Sequence, residues 1–195
     1  MTDKQRCGWA NSAREYVSYH DDEWGTPLHG DDALYERLCL EAFQSGLSWI
    51  TILRKRPAFR SAFADFHLDT VAEFDESDVE RLMGDVGIVR NRAKVLAAIG
   101  NARVAAELPD GLDALLWSFA PTAHRPRPAT IAEVPATSIE SVAMAKQLKR
   151  QGFSFVGPTT AYALMQATGM VDDHIASCWR ATDRAGPPPG SGKLP

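Results

Sequence analysis

The chain has 195 residues, 45% hydrophobic and 24% charged, with a formal net charge of −4. That is enough for a real hydrophobic core in one or two small domains, and no apolar run approaches the ~20 residues that a membrane span needs. The acidic balance argues against a non-specific nucleic-acid coat, while leaving room for a local basic groove.

The N-terminal segment lacks the apolar core of a signal peptide, so a cytoplasmic protein is expected. Three cysteines, Cys7, Cys39 and Cys178, do not make a disulfide framework. Cys39, inside an apolar helix, reads as core. Residues 7–25 are CGWANSAREYVSYHDDEWG, in which Tyr16 and Tyr19 share a face on a helical turn and His20 begins an acidic cluster.

Asp31 to Leu53 is the stretch around which the chain is organised. A helical period puts Leu34, Leu38, Glu41 and Ser45 on one face. A carboxylate in line with buried residues is costly unless something pairs with it. Gly46 breaks the helix, and Ser48 is placed to cap a second one beginning at Trp49. An acid and an indole flanking one tight corner can bind a flat, hydrogen-bonding, cationic ligand. The plainer alternative is a glutamate at the mouth of a helix pair beside a core tryptophan.

The second helix is expected to stop at Arg56, with Pro57 heading another to Phe66. Ser77-Asp78-Val79-Glu80 has the form of a capping box opening a helix to Met83. Gly84 to Val89 is a tight break with two glycines, after which a long helix is expected from Arg90, with Val95, Ile99 and Ala102 inward. In such a helix–hairpin–helix, Gly87 lets backbone N–H groups approach a phosphate. The following helix start adds its dipole, and Arg90, Arg92 and Lys94 add charge. An ordinary helical corner with a solvated basic face is the alternative.

Further along, Leu112–Phe119 reads as helix and Pro121–Pro128 as a connector. Thr137-Ser138-Ile139-Glu140 is a second capping box, opening a helix to Arg150. Gly152–Gly157 is a compact turn, and Pro158–Thr168 is a helix that Gly169 stops. A helical path through Asp172–Cys178 would set His174 and Cys178 one turn apart. From about Ala185 the Pro/Gly-rich tail is expected to be disordered. It lacks the spacing of a phosphate loop. With no convincing strand pattern, the chain reads as all-α, with about eight helices.

Cys7, His20, His174 and Cys178 form a Cys₂His₂ set suited to tetrahedral Zn²⁺. Its halves come from opposite ends of the chain, so one ion would close a long loop and tie down both termini. Four protein ligands leave no open position, which makes such a metal structural.

Together, CGW at 7–9, YHDDEWG at 19–25, LCLEAFQSGLSWITIL at 38–53, GIVRNRAK at 87–94, GFSFVGPTTAYALMQATGMVDDH at 152–174 and Cys178 resemble bacterial 3-methyladenine DNA glycosylase I. The resemblance runs over nearly the whole chain. It implies a compact all-α domain of the helix-hairpin-helix glycosylase type over residues 1–180, its motif at about 77–105, followed by a tail at 181–195. It implies one structural zinc per chain, on Cys7, His20, His174 and Cys178, tying the two termini together. It implies a base pocket lined by Glu41, Trp49, Tyr16 and Tyr19, with Glu41 the catalytic group. The matching hairpin residues Gly87, Val89, Arg90, Arg92 and Lys94 would bind DNA. Apart from the resemblance, Gly46 and Leu47 at the corner read as a wedge into the vacated stack, the alternative being a turn that merely packs. Neither Glu107 nor Asp110 is promoted to a catalyst, and the matched pocket segments contain no lysine. The implied activity is monofunctional hydrolysis of the N-glycosidic bond in double-stranded alkylated DNA, releasing 3-methyladenine, by a monomer without a membrane partner.

The chemistry agrees with the residues. A base in duplex DNA must be flipped out to be attacked. N3-methylated adenine is cationic and already a good leaving group, so recognition matters more than protonation. Stacking contributes roughly 1–3 kcal/mol per base, and a cation strengthens the face contact. Two rivals are a non-catalytic DNA-binding module with a structural zinc and a metal-dependent hydrolase built on His20-Asp21-Asp22.

Overall fold

The computed structural model describes residues 4–123 and 125–182. The expected tail therefore lies almost wholly outside the described residues. Within them there are nine α-helices and no strand. They are α1 (Arg14–Asp22), α2 (Asp31–Gln44), α3 (Trp49–Ala62), α4 (Leu68–Ala72), α5 (Glu76–Gly84), α6 (Arg92–Ala106), α7 (Gly111–Trp117), α8 (Ile139–Gln151) and α9 (Pro158–Ala167).

Helix α2 is the centre. Every residue from Leu34 to Phe43 is buried, because α3, α6, α7 and α9 all pack on it. The expectation of a single buried face is thus corrected: α2 is covered all round. Two of its buried charged residues, Glu36 and Arg37, are held by partners the sequence did not reveal. Arg56 donates to Glu36 and to Glu23 at 2.7 Å each, Arg60 donates to Glu36 at 2.8 Å, and Arg37 donates to Glu23. Burial pushes the Glu23 and Glu36 carboxyls up, but the adjacent guanidiniums outweigh it and leave both below the usual range.

Several boundaries shift. Helix α3 runs on through Pro57 to Ala62. The proline removes one ladder hydrogen bond, while Arg56 and Arg60 on one side and Phe59 in the core hold the helix to α2. The α5 box is closed by Asp75 and Asp78, two residues earlier than expected. Ser138 rather than Thr137 caps α8, in a box with Ser141. Helix α6 begins at Arg92, since the Asn91 side chain accepts from the Lys94 amide at 3.2 Å and so caps it. Residues 172–178 take no helical turn.

Candidate active site and metal centre

An aromatic cleft of about 510 Å³ opens beside α2. Its walls are Trp9, Tyr16, Tyr19, Trp24 and Trp49, and Ser12, Glu41, Gln44 and Gln166 add polar side chains. Ile131 and Val134, from the connector after α7, close one side. Tyr19 and Trp49 lie with ring centroids 5.4 Å apart, and Trp9 meets Tyr16 edge-on at 5.7 Å. The Tyr16 hydroxyl accepts the Ile50 amide at 3.0 Å, which ties α1 to the first turn of α3. The Trp49 indole N–H is buried without a hydrogen-bond partner, so an acceptor on a bound ligand would satisfy it.

Glu41 is 6% exposed and makes no hydrogen bond among the described residues. Burial pushes its carboxyl up to about 8, against the opposing pull of the Arg37 charge one turn back. Arg37 is itself buried, with Nη1 unpartnered, and lies 5.4 Å from the Tyr19 ring. A carboxyl kept this dry, beside aromatic faces, has its strongest interaction with a cation brought in by a ligand. A larger groove of about 660 Å³ lies on the α1–α3 side, lined in part by Arg56 and Arg60. Those arginines are already committed to Glu23 and Glu36, so the aromatic cleft is the better site.

The corner between α2 and α3 is exposed. Gly46 adopts φ +83°, a left-handed conformation that side chains rarely take, and Leu47 is 39% exposed beside it. At the hairpin, a Cβ on Gly87 would lie 2.9 Å from the Ala58 Cβ, so glycine lets the turn sit directly on α3. The Gly87 amide itself donates to Asp85 at 2.7 Å, so the hairpin amides open to a ligand are those that follow it. The amides of Val89 and Arg90 have no partner among the described residues. Arg90 is exposed, and Arg92 pairs with Glu76. On the inner side of the turn, Lys55 donates to the carbonyls of Val86 and Gly87 at 3.0 Å each.

Lys94 is a second correction. It is 8% exposed, and its Nζ donates to the carbonyls of Phe43 at 2.8 Å and Ser45 at 2.6 Å. Its ammonium closes the C-terminus of α2 and does not reach outward to a phosphate. Lys94→Met, which keeps the stem and leaves both carbonyls unpaired, should cost about 1.5–3 kcal/mol. Thermal melting of the variant should show this as a fall of about 3–12 °C.

Behind Trp9 and Trp24, Cys7, His20, His174 and Cys178 are all buried, with ligand atoms within 4.8 Å of one another. Cys178 Sγ lies 3.4 Å from His20 Nε2 and 3.6 Å from His174 Nδ1, and Cys7 Sγ lies 3.7 Å from His174 Nδ1. Zn–S and Zn–N bonds of ordinary length at a tetrahedral angle set sulfur and nitrogen about 3.6 Å apart, so the donor set fits that ion. The outer ring nitrogens are held as well: His20 Nδ1 by Asp21 at 2.9 Å and His174 Nε2 by the Trp24 carbonyl at 3.2 Å.

Trp9, Trp24, Gln44, Gln166, Ile131 and Val134 were not singled out as pocket residues in the sequence. Trp9 and Trp24 stand beside metal-ligand candidates in CGW and HDDEWG, and that adjacency was the available signal. The connector residues follow no periodic pattern.

The family model for methyladenine glycosylase matches residues 9–181. DNA-3-methyladenine glycosylase 1 of Escherichia coli (strain K12) is 43% identical over 180 residues, spanning 89% of this chain and 95% of that protein. A crystal structure of 3-methyladenine DNA glycosylase I (TAG) superposes with a TM-score of 0.86 at 41% identity, covering 90% of this chain and 98% of the other. A variant of 3-methyladenine DNA glycosylase I solved in complex with 3-methyladenine gives a TM-score of 0.84 at 31% identity, covering 89% of this chain and 95% of that one.

Proposed function

The chain belongs to the methyladenine glycosylase family, and from that premise we propose how its own residues carry out the work. It is a DNA base-excision repair glycosylase that releases 3-methyladenine from alkylated DNA. The observation that supports the assignment to this cleft is the Glu41 carboxyl, buried and without a hydrogen bond against five aromatic walls. A flipped 3-methyladenine carries the positive charge that such a carboxyl lacks. The rings of Trp49, Tyr16 and Tyr19 stack on it, and Glu41 pairs with its charge; as the glycosidic bond breaks, the bonding electron pair returns to the base, which leaves neutral, and the positive charge passes to the sugar. Water then completes hydrolysis at the sugar. No lysine lines the cleft, in keeping with a monofunctional enzyme that leaves the strand uncut. The test is release of bases from methylated duplex DNA, resolved by lesion. Folded protein that releases no 3-methyladenine would overturn the assignment.

One Zn²⁺ per chain on Cys7, His20, His174 and Cys178 would be structural, holding residues near the two termini together without an open position for water. The matching of sulfur–nitrogen spacings to a tetrahedron supports it. The glycosylase domain extends over residues 1–180, acts as a monomer and keeps the motif at about 77–105. No helix among the described residues is long and apolar enough to cross a membrane.

DNA enters by the hairpin and the α2–α3 corner. The unpartnered Val89 and Arg90 amides, the exposed Arg90 side chain and the start of α6 at Arg92 suit a phosphate, while Gly46 and Leu47 suit the gap left by the flipped base. Gly87 and Lys94 hold this surface in shape and make no phosphate contact of their own. Arg90→Ala should therefore weaken DNA binding and reduce the salt slope of log K by about 1. The ratio of lesions excised should not move, because phosphate contacts position without carrying base identity. Fluorescence titration at several salt concentrations measures the first, and a changed lesion ratio would remove Arg90 from the backbone-contact set.

A further inference from the structure

Gln166 lies on α9 and lines the cleft opposite no other role in the reaction so far described. Its side chain cannot turn freely. The amide Nε2 donates to Asp173 Oδ2 at 2.7 Å, and the same oxygen accepts the Tyr162 hydroxyl at 2.7 Å. Asp173 is 8% exposed and Tyr162 2%, so this clamp is built into the interior. A carboxylate oxygen accepts and does not donate. Hence the NH₂ end of Gln166 must face Asp173, and Oε1 is the polar atom left to the cleft, with no partner among the described residues. Gln44 repeats the arrangement: its Nε2 donates to the Leu47 carbonyl at 2.9 Å, leaving its oxygen as the available end. Once a cationic base has expelled the Glu41 proton, Glu41, Gln44 and Gln166 all offer it acceptors, while the Ser12 hydroxyl is turned to the Trp9 carbonyl at 3.2 Å.

We propose that Gln166, fixed by Asp173, is a specificity-determining residue that selects N3-methylated adenine over N3-methylated guanine. The inference rests on the glycosylase reading above and deepens it. Both lesions are cationic, flat and alike in size, so charge and stacking do not separate them. They differ at position 6, where adenine presents an amino donor and guanine a carbonyl acceptor, and at position 2, where only guanine carries an amino group; the acceptor reads the first of these. An immobile acceptor receives the first and repels the second. A polar group that cannot turn discriminates far better than an apolar wall, since the wrong ligand leaves two acceptors facing each other without a proton between them.

The experiment is single-turnover release of 3-methyladenine and 3-methylguanine from the same methylated duplex DNA by the full chain. Gln166→Met keeps the length of the side chain and removes the acceptor. It should lower the ratio of the two rates about tenfold, mainly by slowing 3-methyladenine. Asp173→Asn offers an amide to Gln166 in place of the carboxylate and lets it turn its NH₂ toward the base, so the ratio should fall further as 3-methylguanine release rises. If Asp173→Asn does not fold, Gln166→Met decides the matter. Two rates that fall together, or an unchanged ratio in Gln166→Met, would overturn the inference while leaving the glycosylase standing. Wild-type protein that releases neither lesion would overturn both.

Discussion

Glu41→Gln is expected to release 3-methyladenine about 10–100-fold more slowly than wild type in a single turnover, and yet to gain melting temperature over wild type as the pH rises. The rate follows from losing a buried charge interaction of about 1.5–3 kcal/mol with the positive charge that passes from base to sugar as the bond breaks. The stability follows from linkage. Burial pushes the folded-state carboxyl up to about 8, whereas in the unfolded chain it returns to about 4.3. Below pH ~4.3 both states hold the proton and Glu41 adds no pH dependence. Between ~4.3 and about 8 the unfolded chain has lost the proton and the native chain keeps it, so stability declines with rising pH. At pH 7 the decline amounts to as much as ~3 kcal/mol. Glutamine has no proton to lose, so its variant escapes the decline, and the gain in melting temperature over wild type should be several degrees larger at pH 8.5 than at pH 5. A cationic base expels the same proton. Wild-type release should therefore rise with pH up to about 8 and then level off, while the variant stays flat across that range. Release by Glu41→Gln at the wild-type rate would reduce Glu41 to a helix residue.

The corner around Glu41 was legible in the sequence because an acid amid helical apolar spacing, followed by Gly46 and Trp49, is a local pattern. The Cys₂His₂ set was legible for a different reason: the residue types are rare enough to pair across the chain without a fold. What stayed hidden was long-range. Lys94 looks from sequence like any basic residue at a helix start, and only the approach of α6 to the end of α2 turns its ammonium inward. Lys55 stands in a run of three cations, yet it alone reaches the hairpin carbonyls. The Arg37–Glu23–Arg56–Glu36 chain links three segments, and it explains how a fully surrounded helix carries charges that its own sequence leaves unpaired. Gln166 sat unnoticed in an apolar helix because its meaning depends on which end of an amide Asp173 holds.

Removing the metal is expected to have the largest effect on stability, and its consequences should spread from the termini into the base cleft. Cys7 Sγ and Cys178 Sγ meet the two imidazoles at one buried point, and the surrounding hydrophobic cluster is small, with Tyr19, Trp24, Ala167 and Ala181 among its members. Without a cation, burial pushes the Cys7 thiol up to about 12 and the His174 imidazole down to about 4. The donors would then be neutral groups packed together with few hydrogen bonds to gain. Structural zinc sites in small domains contribute on the order of 10 kcal/mol of apparent folding free energy, enough to decide whether this end folds. The cleft depends on it through edge-on ring contacts: Trp24 meets His174 at 4.7 Å and Trp9 meets His20 at 5.4 Å, and both tryptophans wall the cleft. Elemental analysis should find one zinc per chain. Cys178→Ser, or chelation in mild denaturant, should lower the melting temperature by more than ~10 °C, since each kcal/mol lost shifts a domain of this size by about 2–4 °C. Tryptophan fluorescence should change in the same transition, and 3-methyladenine release should disappear with it. Chelated protein that keeps its wild-type melting curve but loses activity would instead point to a catalytic metal on His20-Asp21-Asp22, and protein that stays folded and active without zinc would remove the metal from the structure altogether.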